Sequence, residues 1–97
     1  MKRTPTQSIG NILETFFEEN PDIADKLAEA RLINYWNNEM SPAISRYTGD
    51  LYIKKRVLYV QLKSAVLKNE LMMLRERMIE NLNREAGRRV IEGIVFR

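Results

Sequence analysis

The chain contains neither cysteine nor histidine. Together those absences exclude disulfides, thiol nucleophiles, imidazole bases and the common zinc constellations, and no metal or other cofactor is expected. Glycine is sparse. Gly10, Gly49, Gly87 and Gly93 stand apart, so the chain holds no glycine-rich phosphate loop. Long apolar runs are missing too, the longest being about four residues against the ~20 that a membrane helix needs. Met1-Lys-Arg leads into polar Thr4-Pro-Thr-Gln-Ser8, so neither a secretory signal nor a membrane span is expected. A chain without thiols suits a reducing compartment, and the cytoplasm is the expected location.

Catalytic groups are equally scarce. Glu14, Glu18 and Glu19, and again Glu76 and Glu80, fall at helical spacing, which reads as solvated helix faces and not as paired acids. Glu80 also precedes Arg84 by four residues, the spacing of a surface ion pair. No enzymatic activity is expected.

What is present is a pattern of helices followed by strands. At 97 residues and 44% hydrophobic content the chain reads as a single domain over residues 1–97, able to bury roughly 65% of its unfolded surface. Ile9, Ile12, Leu13, Phe16 and Phe17 form one helical stripe, with Thr6 or Ser8 as N-cap. Asn20-Pro21 ends that helix, and Asn20 caps a second one whose inner face is Ala24, Leu27, Ala28, Leu32, Tyr35 and Trp36. Ser41-Pro42 repeats the cap-then-proline signal, which predicts a short helix over residues 42–47 with Ile44 and Tyr47 turned inward. Gly49-Asp50 closes the helical section.

Beyond it the apolar period changes from 3.6 to 2. Leu51 and Ile53 mark a strand, Lys54-Lys55-Arg56 a turn, and residues 57–63 a returning strand in which Leu58, Val60 and Leu62 alternate with Tyr59, Gln61 and Lys63. Ser64 opens one long helix over residues 65–86 with a seam of Leu67, Leu71, Leu74, Met78 and Leu82, and with Met72, Met73 and Met78 as fillers beside the sheet. Gly87 caps it and residues 90–96 form the last strand. The fold class is therefore α+β: N-terminal helices, then β-β-α-β, with a three-stranded sheet packed against one long helix. Tyr59, on the wet phase of its strand, is the candidate exposed aromatic.

Charge is distributed unevenly. Residues 1–39 carry four Lys/Arg against seven Asp/Glu, and residues 40–97 carry twelve against six. Topology concentrates the excess. The hairpin turn carries Lys54, Lys55 and Arg56, and an ordinary right-handed crossover returns the long helix to the same end, bringing Arg84, Arg88 and Arg89 with it. Six converging cations are candidates for phosphate contact with DNA, single strands included. Solvated cations at a turn and a helix C-terminus, where the helix dipole favours them, are the competing reading. A second alternative is a purely protein-binding module acting through the acidic, aromatic-bearing N-terminal helices.

Residues spread along most of the chain carry a family likeness. Trp36-Asn-Asn-Glu-Met-Ser41 through Tyr47-Thr48, the strand Val57-Leu-Tyr-Val60, Ser64 through Glu70-Leu71, Leu82-Asn83, Gly87, and the closing Ile91, Ile94 and Phe96 together resemble the DciA family. The start Arg3-Thr4-Pro5-Thr6-Gln7-Ser8 is similar to short, tail-free members associated with the Bacteroidetes. The resemblance implies a KH-like α-β-β-α-β domain that helps deliver or operate the bacterial replicative helicase, with direct nucleic-acid affinity in some members. The expected partners are thus that helicase and DNA. The chain has no G-x-x-G, so the backbone clamp of ordinary KH domains is unavailable and any nucleic-acid contact must use charge and other surfaces. A short last strand at a sheet edge also leaves a weak homodimer open, against which Lys63 and Arg97 act.

Overall fold

A computed structural model describes residues 9–97, with side chains from residue 11 onward. The N-cap expected at Thr6 or Ser8 lies outside the described residues. Three helices, α1 (Ile9–Glu19), α2 (Pro21–Glu39) and α3 (Pro42–Arg46), precede a hairpin of β1 (Thr48–Lys54) and β2 (Val57–Leu62). Helices α4 (Ala65–Met73) and α5 (Arg75–Ala86) then cross over to β3 (Gly93–Phe96). Strand β2 lies in the centre, antiparallel to β1 and parallel to β3. The α+β class and the KH-like order of helices followed by β-β-α-β are as the sequence predicts.

Alternation along the strands gives the sheet one dry face. Leu58, Val60, Leu62, Ile94 and Phe96 are buried there in one core with Leu32 and Trp36 of α2 and Met78, Ile79, Leu82 and Ala86 of α5. The opposite face carries Tyr52, Tyr59, Gln61 and Val95, none of them buried. Trp36 is fully enclosed, and its Nε1 donates to Thr48 Oγ1 at 2.9 Å while that hydroxyl donates to the Ile44 carbonyl at 2.7 Å. One indole therefore fixes α2, α3 and β1 to one another. Helix α3, five residues long, could not stand without such an anchor.

Several local expectations are corrected. Residues 65–86 do not form one continuous helix: at Leu74 (φ −104°, ψ 8°) the ladder switches to a short bond from Leu74 N–H to the Leu71 carbonyl, 3.0 Å. The two halves serve different neighbours, α4 packing on β2 and α5 chiefly on α2, so the crossover turns between them. That turn rotates Leu74 outward and leaves Met72 and Met73 exposed, Met73 by 79%, instead of filling space beside the sheet. Asn20 occupies the N-cap position of α2 but donates backward to the Phe16 carbonyl at 2.8 Å, so its side chain caps the end of α1. Tyr47 is exposed, its backbone closing α3 while Trp36 and Ile44 fill the space beneath. Gly49 and Asp50 lie within β1 at a register irregularity, where the Gln61 side chain accepts from Asp50 N–H at 3.0 Å. The last strand is shorter than expected, and Val90 and Ile91 are buried as a loop.

Candidate nucleic-acid interface

The hairpin turn consists of Lys55 and Arg56 alone, and both adopt positive φ, 50° and 65°. Two left-handed residues in a two-residue loop match the right-handed twist of the flanking strands, a geometry that usually recruits glycine or asparagine. With lysine and arginine it costs on the order of 1 kcal/mol at each position. Contacts of Arg56 offset that strain. Its Nε donates to Glu92 Oε2 at 2.6 Å, its Nη2 donates to the Arg89 carbonyl at 3.0 Å, and its own carbonyl accepts from Glu92 N–H at 2.7 Å. The hairpin turn is thereby tied to the corner that follows α5.

The corner is held from the other side by Asn83. This is the buried polar residue of α5, and both ends of its amide are used: Oδ1 accepts from Val90 N–H (2.9 Å) and Ile91 N–H (3.1 Å), and Nδ2 donates to the Ile91 carbonyl (2.9 Å). Gly87 makes the reversal possible with φ 91°, a left-handed cap whose N–H bonds to the Asn83 and Arg84 carbonyls. Residues 87–92 are thus held by hydrogen bonds from Asn83 and Arg56 although they belong to no helix or strand.

Of the six predicted cations, the fold brings together Lys54 at the end of β1, the turn residues Lys55 and Arg56, and Arg89 of the corner. Arg88 is adjacent in sequence but turns to α2, where its Nε meets Asp25 Oδ1 at 3.2 Å. Arg84 lies one turn before the corner and donates to Asn81 Oδ1 at 2.8 Å, so the ion pair expected with Glu80 does not form. Two of the six are therefore neutralised by carboxylates, Arg56 by Glu92 and Arg88 by Asp25. Lys54, Lys55, Arg84 and Arg89 are exposed and have no acidic partner among the described residues.

An aromatic pair adjoins this end. The register sets Tyr52 opposite Tyr59, and the rings stack with centroids 5.0 Å apart and planes 15° from parallel. Arg97 reaches across the open face, its guanidinium carbon 5.7 Å from one ring centre and 5.6 Å from the other, and donates to the Tyr52 hydroxyl at 2.8 Å. Lys54 lies two residues from Tyr52 on the same strand phase, so cations flank the aromatic pair along the strand direction. Sequence reading found Tyr59 but missed Tyr52 and Arg97. Once the turn is limited to two residues, counting outward from Lys54 opposite Val57 pairs Tyr52 with Tyr59 directly.

Residues 8–96 match the family model described as Dna[CI] antecedent, DciA. The chain belongs to the DciA family. No curated protein and no solved structure matches it. DciA proteins are associated with loading of the replicative helicase, which supports a non-enzymatic helicase-loading role for this member. The positions that carried the DciA likeness explain themselves physically: Trp36 with Thr48 locks the helical section to the sheet, and Asn83 with Gly87 builds the cationic corner. These residues are the frame that sets the charges in place, while the charges themselves sit at its surface.

The strained turn separates stability from charge in a single substitution. Lys55→Asn suits a positive φ and removes one cation from the corner, so it is expected to raise unfolding stability by up to about 1 kcal/mol, which urea denaturation measures.

Proposed function

We propose that this DciA protein is a non-enzymatic replication adaptor that touches single-stranded nucleic acid with its cationic corner while assisting loading or operation of the replicative helicase. The carrying observation is that Lys54, Lys55, Arg84 and Arg89, without acidic partners among the described residues, belong to an end of the fold that Asn83 and Arg56 fix. A phosphate chain crossing that end gains charge neutralisation and loses little protein entropy, because the corner is already ordered. The neighbouring tyrosine pair favours single strands, whose bases can offer a ring face to it. Tyr52→Leu keeps an apolar side chain in the strand and removes the ring, so it is expected to weaken single-strand binding by about 1–3 kcal/mol with duplex binding little changed. Competition titrations with single- and double-stranded oligonucleotides of one sequence measure that difference.

A second reading has its own observation. The apolar stripe of α1 is exposed and flanked by carboxylates, which favours a protein contact at the opposite sign of charge. A weak homodimer through the outer edge of β3 is compatible with either reading. The adaptor role is tested by co-sedimenting the purified chain with the replicative helicase of its source bacterium, with and without nuclease. Retention after nuclease supports the adaptor, retention abolished by nuclease reduces the chain to a nucleic-acid binder, and no retention contradicts the helicase role.

A further inference from the structure

Among its described side chains, helix α1 leaves Ile12, Leu13 and Phe16 substantially exposed. Among the described residues it packs chiefly against the start of α2, and the molecule is elongated, 56 × 26 × 20 Å. Ile12 is 57% exposed, Leu13 46% and Phe16 43%, and across the Asn20-Pro21 junction Ile23 and Leu27 are exposed as well. An amphipathic helix normally turns such a stripe toward a core. This one faces water, and its spacing is that of the i, i+3, i+4, i+7 anchors by which helices recognise helices.

The charges around the stripe identify the occupant. Glu14, Glu18, Glu19 and Asp22 have no ion-pair partner among the described residues, and after Arg3 no lysine or arginine occurs until Lys26. Glu18 and Glu19 stand in the last turn of α1, where the helix dipole disfavours negative charge, and that turn contains no basic residue. Two local rules are broken side by side, one hydrophobic and one electrostatic, and a single ligand would satisfy both. We propose that α1 and the first two turns of α2 form a docking surface for a cationic amphipathic helix of a partner protein.

The other occupants fit less well. A second copy laid α1 against α1 would set Glu14, Glu18 and Glu19 of each chain near those of the other, without one cation between them in either helix. Phosphate backbones and anionic lipid headgroups meet the same repulsion. The proposal does not rest on the nucleic-acid reading, since it concerns helices of opposite charge to the cationic corner.

The test uses the full chain and two synthetic 18-residue helical peptides that share one leucine stripe, flanked in one by lysines and in the other by glutamates. The lysine-flanked peptide is expected to bind at least tenfold more tightly at physiological salt, with amide shifts concentrated in residues 11–27. Ile12→Ser with Phe16→Ser should weaken that binding at least tenfold and leave the thermal melt in place, because both side chains are already exposed. Glu18→Lys with Glu19→Lys should reverse the preference toward the glutamate-flanked peptide. Equal binding of both peptides, or binding untouched by these variants, overturns the proposal. So does self-association that the Ile12/Phe16 variant abolishes, or adsorption to phosphatidylcholine vesicles in preference to either peptide. No nucleic acid or helicase enters these assays, so their failure leaves the adaptor reading standing.

Discussion

Trp36→Ala is expected to lower the unfolding free energy by about 3–5 kcal/mol, against a total of roughly 5–15 kcal/mol for a domain of this size. Three effects add. The largest fully buried side chain is removed, a cavity opens between α2 and the sheet, and Thr48 Oγ1 loses the indole N–H that it accepts. The damage should spread to α3, since Thr48 also donates to Ile44 and joins that short helix to β1. Trp36→Phe discriminates among these terms. It retains most of the apolar volume and gives up the 2.9 Å hydrogen bond, so its cost should fall well below that of the alanine variant. Equilibrium urea denaturation, followed by circular dichroism, measures both.

Asn83→Ala should rank with it, at about 3 kcal/mol or more, although far fewer atoms are removed. The substitution leaves Val90 N–H, Ile91 N–H and the Ile91 carbonyl without the partners they now have inside the protein. Each orphaned buried group costs on the order of 1–3 kcal/mol, partly recovered if water enters. The local signature matters more than the total. Hydrogen exchange at Val90 and Ile91 should lose protection first, and nucleic-acid binding should weaken even below the denaturation midpoint, because Asn83 holds the segment that carries Arg89.

The fold was legible where periodicity was long and unambiguous. The change from a 3.6-residue to a 2-residue apolar rhythm separates the helical section from the hairpin to within about three residues, and the right-handed crossover rule predicts that the turn and the post-helix corner meet. Arg56 bonding to Arg89 and Glu92 is the physical form of that prediction. The break at Leu74 was not legible, because neither proline nor glycine marks it. It arises from α4 and α5 having different packing partners, a tertiary cause without a local residue signal. Asn20 misled for a related reason: the cap-then-proline pattern locates the junction but cannot say which helix its amide will serve.

The charges show the same division. Sequence and topology assemble six cations but not their partners, and in the folded protein Arg56 and Arg88 are spent on Glu92 and Asp25. A count of six would imply a salt slope near −4 for a single strand, at roughly −0.7 per phosphate, whereas the four cations without acidic partners imply about −3. The distinction also decides which residues to change. Replacing Arg56 by glutamate would set two carboxylates together at Glu92 and loosen the corner, so Arg56 is a positioning residue and a poor probe of contact.

The most direct measurement is therefore the dependence of single-stranded oligonucleotide affinity on salt, for the natural chain and for Lys54→Glu/Lys55→Asn/Arg89→Glu. That variant spares the Arg56–Glu92 and Asn83 contacts, so its fold should persist by circular dichroism. The natural chain should give a log-log slope near −3, and the variant should bind at least tenfold more weakly with a slope shallower than about −1. A folded variant with unchanged affinity and unchanged slope would contradict the assignment of the cationic corner to nucleic acid.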